Sequence, residues 1–434
     1  MVTETDTLVV GAGPQALTVA ARWLCGRPAL VASLMVVDPA GSWMAGWDAA
    51  FDRQRIDVLR SPGVHHPDPD SMAFIKTRDR WGRSSADTAS CSVETAVGPL
   101  QRPTTTAFRA FCDDLLRRTS LSDRVIPAAV VEIEPASGDH PDLQWSARLS
   151  TGQIVRARQV VWAGNPCLRR VPDGIELGDR IIHGSDVDVR VVDPGQRIAV
   201  IGGGQTAGQL ALEAARRGAV VTLLRRGAAE VADLDVDAGW LMDDHLTPFR
   251  AIGDPEERRR EVERARRGSM TSDLRDALRA AAVTQLNDAG AVAAWSSEHG
   301  PTVGLAGVEC HVDHVWCATG TVPDLRADPA LAQLAAGGAP HVAGWPILTD
   351  DLEWLDGFHV VGALAALTIG PAAGNLGGAR AAADILADRA PGQPRVDCSR
   401  EGERRPSARA GGKPLGSPRG YRYWPSSRPS STPS

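Results

Sequence analysis

The 434-residue sequence predicts an α/β protein containing two Rossmann-like dinucleotide-binding domains. Two observations carry this. A short apolar run, a glycine turn and a helical stretch follow one another from residue 7 and again from residue 197. Each copy then runs into a second apolar segment, which ends in an acid in the first and in two arginines in the second.

In the first unit, TLVV (7–10) reads as a strand, and Gly11-Ala12-Gly13-Pro14-Gln15-Ala16 as a turn that opens a helix reaching about Leu24. Gly11 permits a tight turn, Gly13 lets the backbone approach a pyrophosphate, and Ala16 allows close packing of helix on strand. The helix N-terminus then presents free N–H groups and partial positive charge to phosphates. LMVVD (34–38) is the next strand, and Asp38 at its end is placed to accept from ribose hydroxyls. These features make the first unit a site for FAD, with Pro14 and Gln15 as part of the turn.

The second unit is RIAVIGGGQTAGQLALEAARRGAVVTLLRR (197–226), with Gly202, Gly204, Gln205 and Thr206 in the turn. Its second strand ends in Arg225 and Arg226. An acid there would bind a bare ribose and repel a 2′-phosphate, whereas arginine accepts the phosphate. The expected ligand is therefore NADPH rather than NADH. The competing reading is that the arginine pair is a solvated strand end.

Between and beyond these units the chain is less regular. Residues 41–105 are rich in Gly, Pro, Ser and Trp, which reads as an irregular segment over a ligand. Trp43 and Trp47 within it either wall the flavin or fill the core. A helix is expected from about Thr106 to Arg118, with Phe108, Phe111, Leu115 and Leu116 at helical spacing. AAVVEIE (128–134), LQWSARL (143–149) and RQVVWAG (158–164) read as strands, and Val131 is counted with the FAD site. A charged helical insertion is expected at about 235–290, carrying EERRREVERARR. HVDHVWCATG (311–320) closes the second unit, FHVVGALA (358–365) is a last strand and PAAGNLGGARAAADILA a last helix. The turn before that helix, with Gly370 and Pro371, either aims N–H groups at the flavin pyrimidine or simply caps the helix. Residues 391–434 read as a disordered tail, poor in apolar residues and rich in Pro, Ser, Gly and Arg.

Composition narrows the partners. The net charge of −6 becomes about −12 without the basic tail, which argues against nucleic acid or an anionic membrane. The N-terminus lacks the basic and apolar regions of a signal peptide, and no apolar run approaches a membrane span. Seven scattered cysteines without a CxxC disfavour a disulfide framework, a zinc ribbon or a redox dithiol. A reduced, cytoplasmic setting follows, with a homo-oligomer left open. No spacing among His65, His66, His183, His245 and His314 suits a metal, so no metal is expected. His183 reads as a packing or turn residue.

Taken together, the sequence resembles the single-component flavin monooxygenases that N-hydroxylate amines, such as ornithine and lysine N-monooxygenases. The resemblance covers roughly 5–390. It rests on GAGP (11–14), GSWMAGW (41–47), QRIDVLRSPGVHHPDPDSMAFI (54–75) and GGGQTA (202–207). It implies an NADPH domain inserted into an FAD domain: 1–192 and 326–390 for FAD, 193–325 for NADPH. It further implies that NADPH reduces FAD, that oxygen adds to give a C4a-hydroperoxyflavin, and that a nitrogen of a small-molecule amine or guanidine takes the distal oxygen. The family's substrate-carboxylate lysine is matched by Arg60, and an asparagine–glutamate pair by Asp243-Asp244. Arg60 would hold an anionic group and Asp243 a cationic one, which disfavours ornithine itself. A Baeyer–Villiger or sulfur-oxidising enzyme, or a flavin-binding protein without turnover, is the alternative. The Baeyer–Villiger fingerprint is absent, since Leu177 and Asp179 stand where it carries Phe and Gly.

Overall fold

The computed structural model describes residues 2–81, 101–136 and 142–390, apart from 229, 267, 282, 288, 291, 299 and 306–307. The segment read as a disordered tail, 391–434, lies outside the described residues. Two parallel-stranded α/β layers organise the rest. In the first sheet the order is Glu353–Leu355, Phe358–Val360, Ile154–Trp162, Val2–Val10, Leu34–Asp38 and Val125–Pro127. The antiparallel pair Val130–Pro135 and Trp145–Leu149 is attached to it through Ile154–Trp162. The second sheet has five strands, in the order Thr284–Leu286, Val220–Leu224, Arg197–Ile201, His314–Cys317 and Ile181–His183. All four pairings in it are parallel.

The two sheets repeat one arrangement. Val2–Val10 lies between Leu34–Asp38 and Ile154–Trp162, and Arg197–Ile201 lies between Val220–Leu224 and His314–Cys317. Each glycine turn therefore leaves the carboxyl end of the strand at which the winding reverses, where open α/β sheets form their ligand crevice. Burial on both faces explains the continuous apolar runs. Leu8, Val9, Val36, Val160 and Val161 are at most 1 % exposed, as are Val200, Leu210 and Leu223 in the second layer.

Most expected elements appear within a few residues. The helix Thr105–Arg118 buries Phe108, Phe111, Leu115 and Leu116, and the Thr104 side chain caps it by accepting from Ala107 N–H. The 41–105 segment needs correction. It contains a helix, Ala45–Gln54, begun by Met44 in the left-handed region at φ 66. No residue of that helix is fully buried, so it has no apolar stripe for periodicity to reveal. Among the described residues the expected insertion at 235–290 holds three α-helices, Asp243–Ala251, Pro255–Ala265 and Ser272–Ala280, after a 3-10 helix Ala238–Leu241. The second sheet also begins earlier than residue 193, because Ile181–His183 pairs with His314–Cys317.

Candidate active site

The two glycine turns fold alike because their backbones face the same demand. Gly11 and Gly202 carry φ of +98 and +151, and a Cβ on Gly202 would lie 2.3 Å from the Ala318 carbonyl oxygen. Gly13 and Gly204 are the N-caps of the helices that follow, both extended, at φ −85 and −92. A Cβ on Gly13 would meet no protein atom within 4 Å, so the turn leaves room for an incoming group.

Two buried polar atoms near the first turn lack partners: Gln15 Oε1 and the indole N–H of Trp162, at the end of the neighbouring strand. An open cradle and unsatisfied buried polar atoms fit a bound dinucleotide. Asp38 first serves the turn itself. Its carboxylate accepts from Ala12 N–H and Ala40 N–H, each at 2.9 Å, and each oxygen keeps a second lone pair for a ribose. Gln15 donates to the carbonyls of Ala373 and Asn375 at 3.3 and 3.2 Å. That places the 370–375 turn beside the first glycine turn. Gly370 itself, at φ +84, and Pro371 are buried, with Gly370 against Leu246 and Trp240.

The remaining flavin-side expectations separate. Trp43 is 2 % exposed and donates to the Leu121 carbonyl at 2.8 Å, which makes it a core residue. Trp47 is half-buried and stacked on Phe51 with ring centroids 4.0 Å apart. Val131 points outward: Val130 and Ile133 take the buried positions of that strand, and the Val131 side chain is left exposed.

A cavity of about 1040 Å³ adjoins the second turn, walled by Gly202, Gly204, Gln205, Thr206, Arg225 and Arg226. Gln205 accepts from Thr271 N–H at 3.0 Å, tying the turn to the 269–271 segment. Arg225 is 4 % exposed, and among the described residues its guanidinium reaches only the Gln285 side-chain oxygen. Its Nε has no partner, and it forms no ion pair among the described residues. Burial alone lowers its pKa from the usual guanidinium value. A buried cation without counter-charge is costly unless an anion arrives. Arg226 is exposed beside it.

Arg60 also lines this cavity, but most of its N–H groups are engaged by the protein. It donates to the carbonyls of Ala232 at 2.8 Å, Asp233 at 3.2 Å and Ser269 at 3.1 Å, and to that of Leu234 and the Ser269 hydroxyl. The expected carboxylate clamp is thus a staple joining the 57–66 segment to the two-strand ribbon Glu230–Val231 and Ser269–Met270. Arg60→Ala should cost about 2–4 kcal/mol in urea unfolding, since several carbonyls lose their donor. Arg60→Lys should recover only part, because an ammonium cannot reproduce the fork. An unchanged midpoint in the alanine variant would remove the staple.

Asp243 is displaced from its expected place. It is exposed in the first turn of Asp243–Ala251 and is not among the cavity residues. Asp235, eight residues earlier, lines the cavity instead and accepts from Asn375 Nδ2 at 3.3 Å.

His183 behaves as a turn residue. Its Nε2 donates to the Gly320 carbonyl at 3.0 Å and its Nδ1 accepts from Ser185 N–H at 3.2 Å, which fixes a neutral tautomer. His65 and His66 carry a sharper signal. Burial first, then Arg380, lowers both to about 4. His66 sits against Phe74 and Phe111 and donates to the Ser71 carbonyl. The unfolded chain protonates both near 6.5 and the folded chain only near 4. Stability should therefore be full above pH 6.5 and fall as pH drops from 6.5 towards 4. Urea unfolding across that window should show proton uptake approaching two, and His66→Leu should roughly halve the slope.

Comparison with known proteins gives a fold. No protein-family model matches the chain, and no curated protein matches it by sequence. Among solved structures it is similar to an ornithine N-hydroxylase of Kutzneria sp. 744 with reduced FAD, NADP+ and L-ornithine. That match has a TM-score of 0.69 at 19 % identity, over 89 % of this chain and 98 % of that one. L-lysine 6-monooxygenase from Pseudomonas syringae gives 0.67 at 19 % identity, over 89 % and 98 %. The FAD-bound cadaverine monooxygenase of desferrioxamine biosynthesis from Erwinia amylovora gives 0.67 at 13 %, over 90 % and 95 %. The chain thus has the fold of these monooxygenases over nearly their whole length.

Proposed function

We propose that the protein is an FAD- and NADPH-dependent monooxygenase that hydroxylates a nitrogen of a small-molecule amine with molecular oxygen. In this reading residues 1–180 and 326–390 form the FAD domain, and 181–325, starting with the strand Ile181–His183, an NADPH domain inserted into it. One observation carries the reading. Two glycine turns of matched geometry recur; the second lies on the cavity wall, the first is tied to that wall through Gln15 and Asn375, and beside the second is a buried arginine without a counter-charge among the described residues. Gly11, Gly13 and Gln15 would hold the FAD pyrophosphate region, with Asp38 towards the ribose. Gly202, Gly204, Gln205 and Thr206 would hold the NADPH pyrophosphate, and Arg225 with Arg226 its 2′-phosphate.

A flavin bound there supplies the ring at which the coenzyme's electrons meet oxygen. The chain's own part is positional. Gln15 locks the 370–375 turn to the first glycine turn, Arg60 fixes the 232–234 segment that leads to Asp235, and His65 stays neutral on the cavity wall. Nitrogen is favoured as the oxygen acceptor because the similar solved structures are ornithine, lysine and cadaverine enzymes. A cavity carboxylate also suits a cationic substrate.

The test is a panel of amines given to FAD-loaded protein with NADPH and oxygen, scoring hydroxylamine and hydrogen peroxide together. At least one amine should yield hydroxylamine in step with NADPH consumption. Peroxide alone throughout, or oxygen placed on carbon or sulfur, would defeat the reading.

A further inference from the structure

The segment 266–271 reaches both nucleotide units. On one side Gly268 lies against the second glycine turn, where a Cβ on Gly204 would stand 3.6 Å from its Cα, and Thr271 N–H donates to Gln205 at 3.0 Å. On the other side the Arg266 guanidinium comes within 3.4 Å of the place a Cβ on Gly374 would take. Gly374 belongs to the 370–375 turn that Gln15 ties to the first glycine turn. It is exposed, although Gly370 to Ala373 before it are buried. Arg266 therefore stands where the two units meet. A coenzyme on the second turn and a flavin on the first would face each other there.

The guanidinium is available. Arg266 is the C-cap of Pro255–Ala265, and its backbone N–H donates to the Val262 carbonyl, so its position is set from the second unit. Its side chain lines the cavity and makes no hydrogen bond or ion pair among the described residues. The acids nearby have other partners. Glu263, one turn earlier, pairs with Arg259 at 2.7 Å. Asp235 accepts from Asn375 at 3.3 Å and lies near the Arg60 guanidinium, whose charged form it favours. Two further features of the same wall point to a bound group. The helix Leu376–Ile385 begins at Asn375, which brings its positive end to the cavity. The Trp345 indole is 2 % exposed, and its N–H lacks an acceptor. Trp345–Pro346 packs on Gly362–Ala365, and a Cβ on Gly374 would lie 3.1 Å from Ala363. An unpaired guanidinium, a helix N-terminus and a buried donor without an acceptor together ask for an electron-rich group.

We propose that Arg266, a residue of the coenzyme unit, holds its positive charge against the pyrimidine edge of the flavin ring bound by the other unit. The proposal rests on the FAD and NADPH reading above and adds the residue that sets the flavin's potential. A flavin ring that takes a hydride from NADPH, two electrons with one proton, gains one negative charge. Arg266 meets that charge, and so stabilises the reduced ring more than the neutral oxidised one.

The experiment is a redox titration, against a dye of known potential, of FAD-loaded protein without coenzyme. It compares the unmodified chain with Arg266→Gln and Arg266→Lys. In Arg266→Gln the reduced flavin should lose about tenfold more affinity than the oxidised flavin, the low end of a charge-assisted contact. That lowers the two-electron potential by about 30 mV. The melting temperature of the flavin-free protein should hardly change, since the Arg266 side chain is exposed and unpaired among the described residues. Arg266→Lys keeps the charge and should recover most of the potential. An unchanged potential in Arg266→Gln overturns the assignment. With a raised KM for NADPH the guanidinium then serves the coenzyme, and with an unchanged KM it is a solvated side chain. A fall that Arg266→Lys does not restore also overturns it, because charge is then not the cause. Unmodified protein that takes up no FAD overturns the flavoprotein reading together with it.

Discussion

Gly13→Val is expected to yield a folded protein stripped of flavin. The backbone at Gly13 is extended, at φ −85 and ψ −173, which any residue adopts without strain. A Cβ there meets no protein atom within 4 Å, so the valine side chain starts in open space rather than against the protein. What it would meet is the pyrophosphate that the turn is shaped to approach. An overpacked contact costs about 1–3 kcal/mol, or roughly ten- to a hundredfold in affinity. The neighbouring glycines would not make this distinction. At Gly11 the φ of +98 and the Ala163 carbonyl carbon 3.1 Å from a Cβ would penalise the fold directly. The measurement is flavin absorbance per protein after purification, beside the melting temperature of flavin-free samples. A variant with full flavin and an unchanged melting temperature would place FAD elsewhere than residues 11–16.

The parts of the molecule that sequence made legible are those where local geometry dictates residue type. A turn with φ of +98 or +151 asks for glycine, and strands buried on both faces ask for unbroken apolar runs. Both dinucleotide units could therefore be read from residues 7–38 and 197–226. The substrate end of the cavity could not be, because it depends on contacts between segments far apart in the chain. Arg60 meets carbonyls at 232–234 and 269, and nothing near Arg60 encodes that meeting. In that stretch the acid on the cavity wall is Asp235 rather than Asp243, a shift of eight residues that a loose resemblance through 230–280 cannot fix. Trp43 illustrates the same limit. A tryptophan in a Gly- and Ser-rich stretch suits a ligand wall or a core equally, and its hydrogen bond to Leu121 sends it to the core.

Arg225→Met is expected to make the coenzyme-free protein more stable while destroying its preference for NADPH. Arg225 is 4 % exposed, its only hydrogen-bond partner among the described residues is the neutral Gln285 side chain, and its Nε has none there. Burial depresses its pKa with no opposing charge to restore it, the mark of a cation held at a cost. Methionine keeps the apolar stem of the side chain and removes the charge, so the coenzyme-free fold should gain about 1–2 kcal/mol. In the loaded protein the balance reverses. The 2′-phosphate would supply the missing counter-charge, and a charge-assisted contact is worth roughly 1.5–3 kcal/mol. The KM for NADPH should rise about ten- to a hundredfold in the variant, while that for NADH changes little. Added NADPH should likewise raise the melting temperature of the unmodified protein but no longer raise that of the variant more than NADH does. Two readouts thus move in opposite directions, which a merely structural arginine would not produce. If the coenzyme-free variant melts lower and still prefers NADPH, Arg225 serves the fold and the phosphate is held elsewhere.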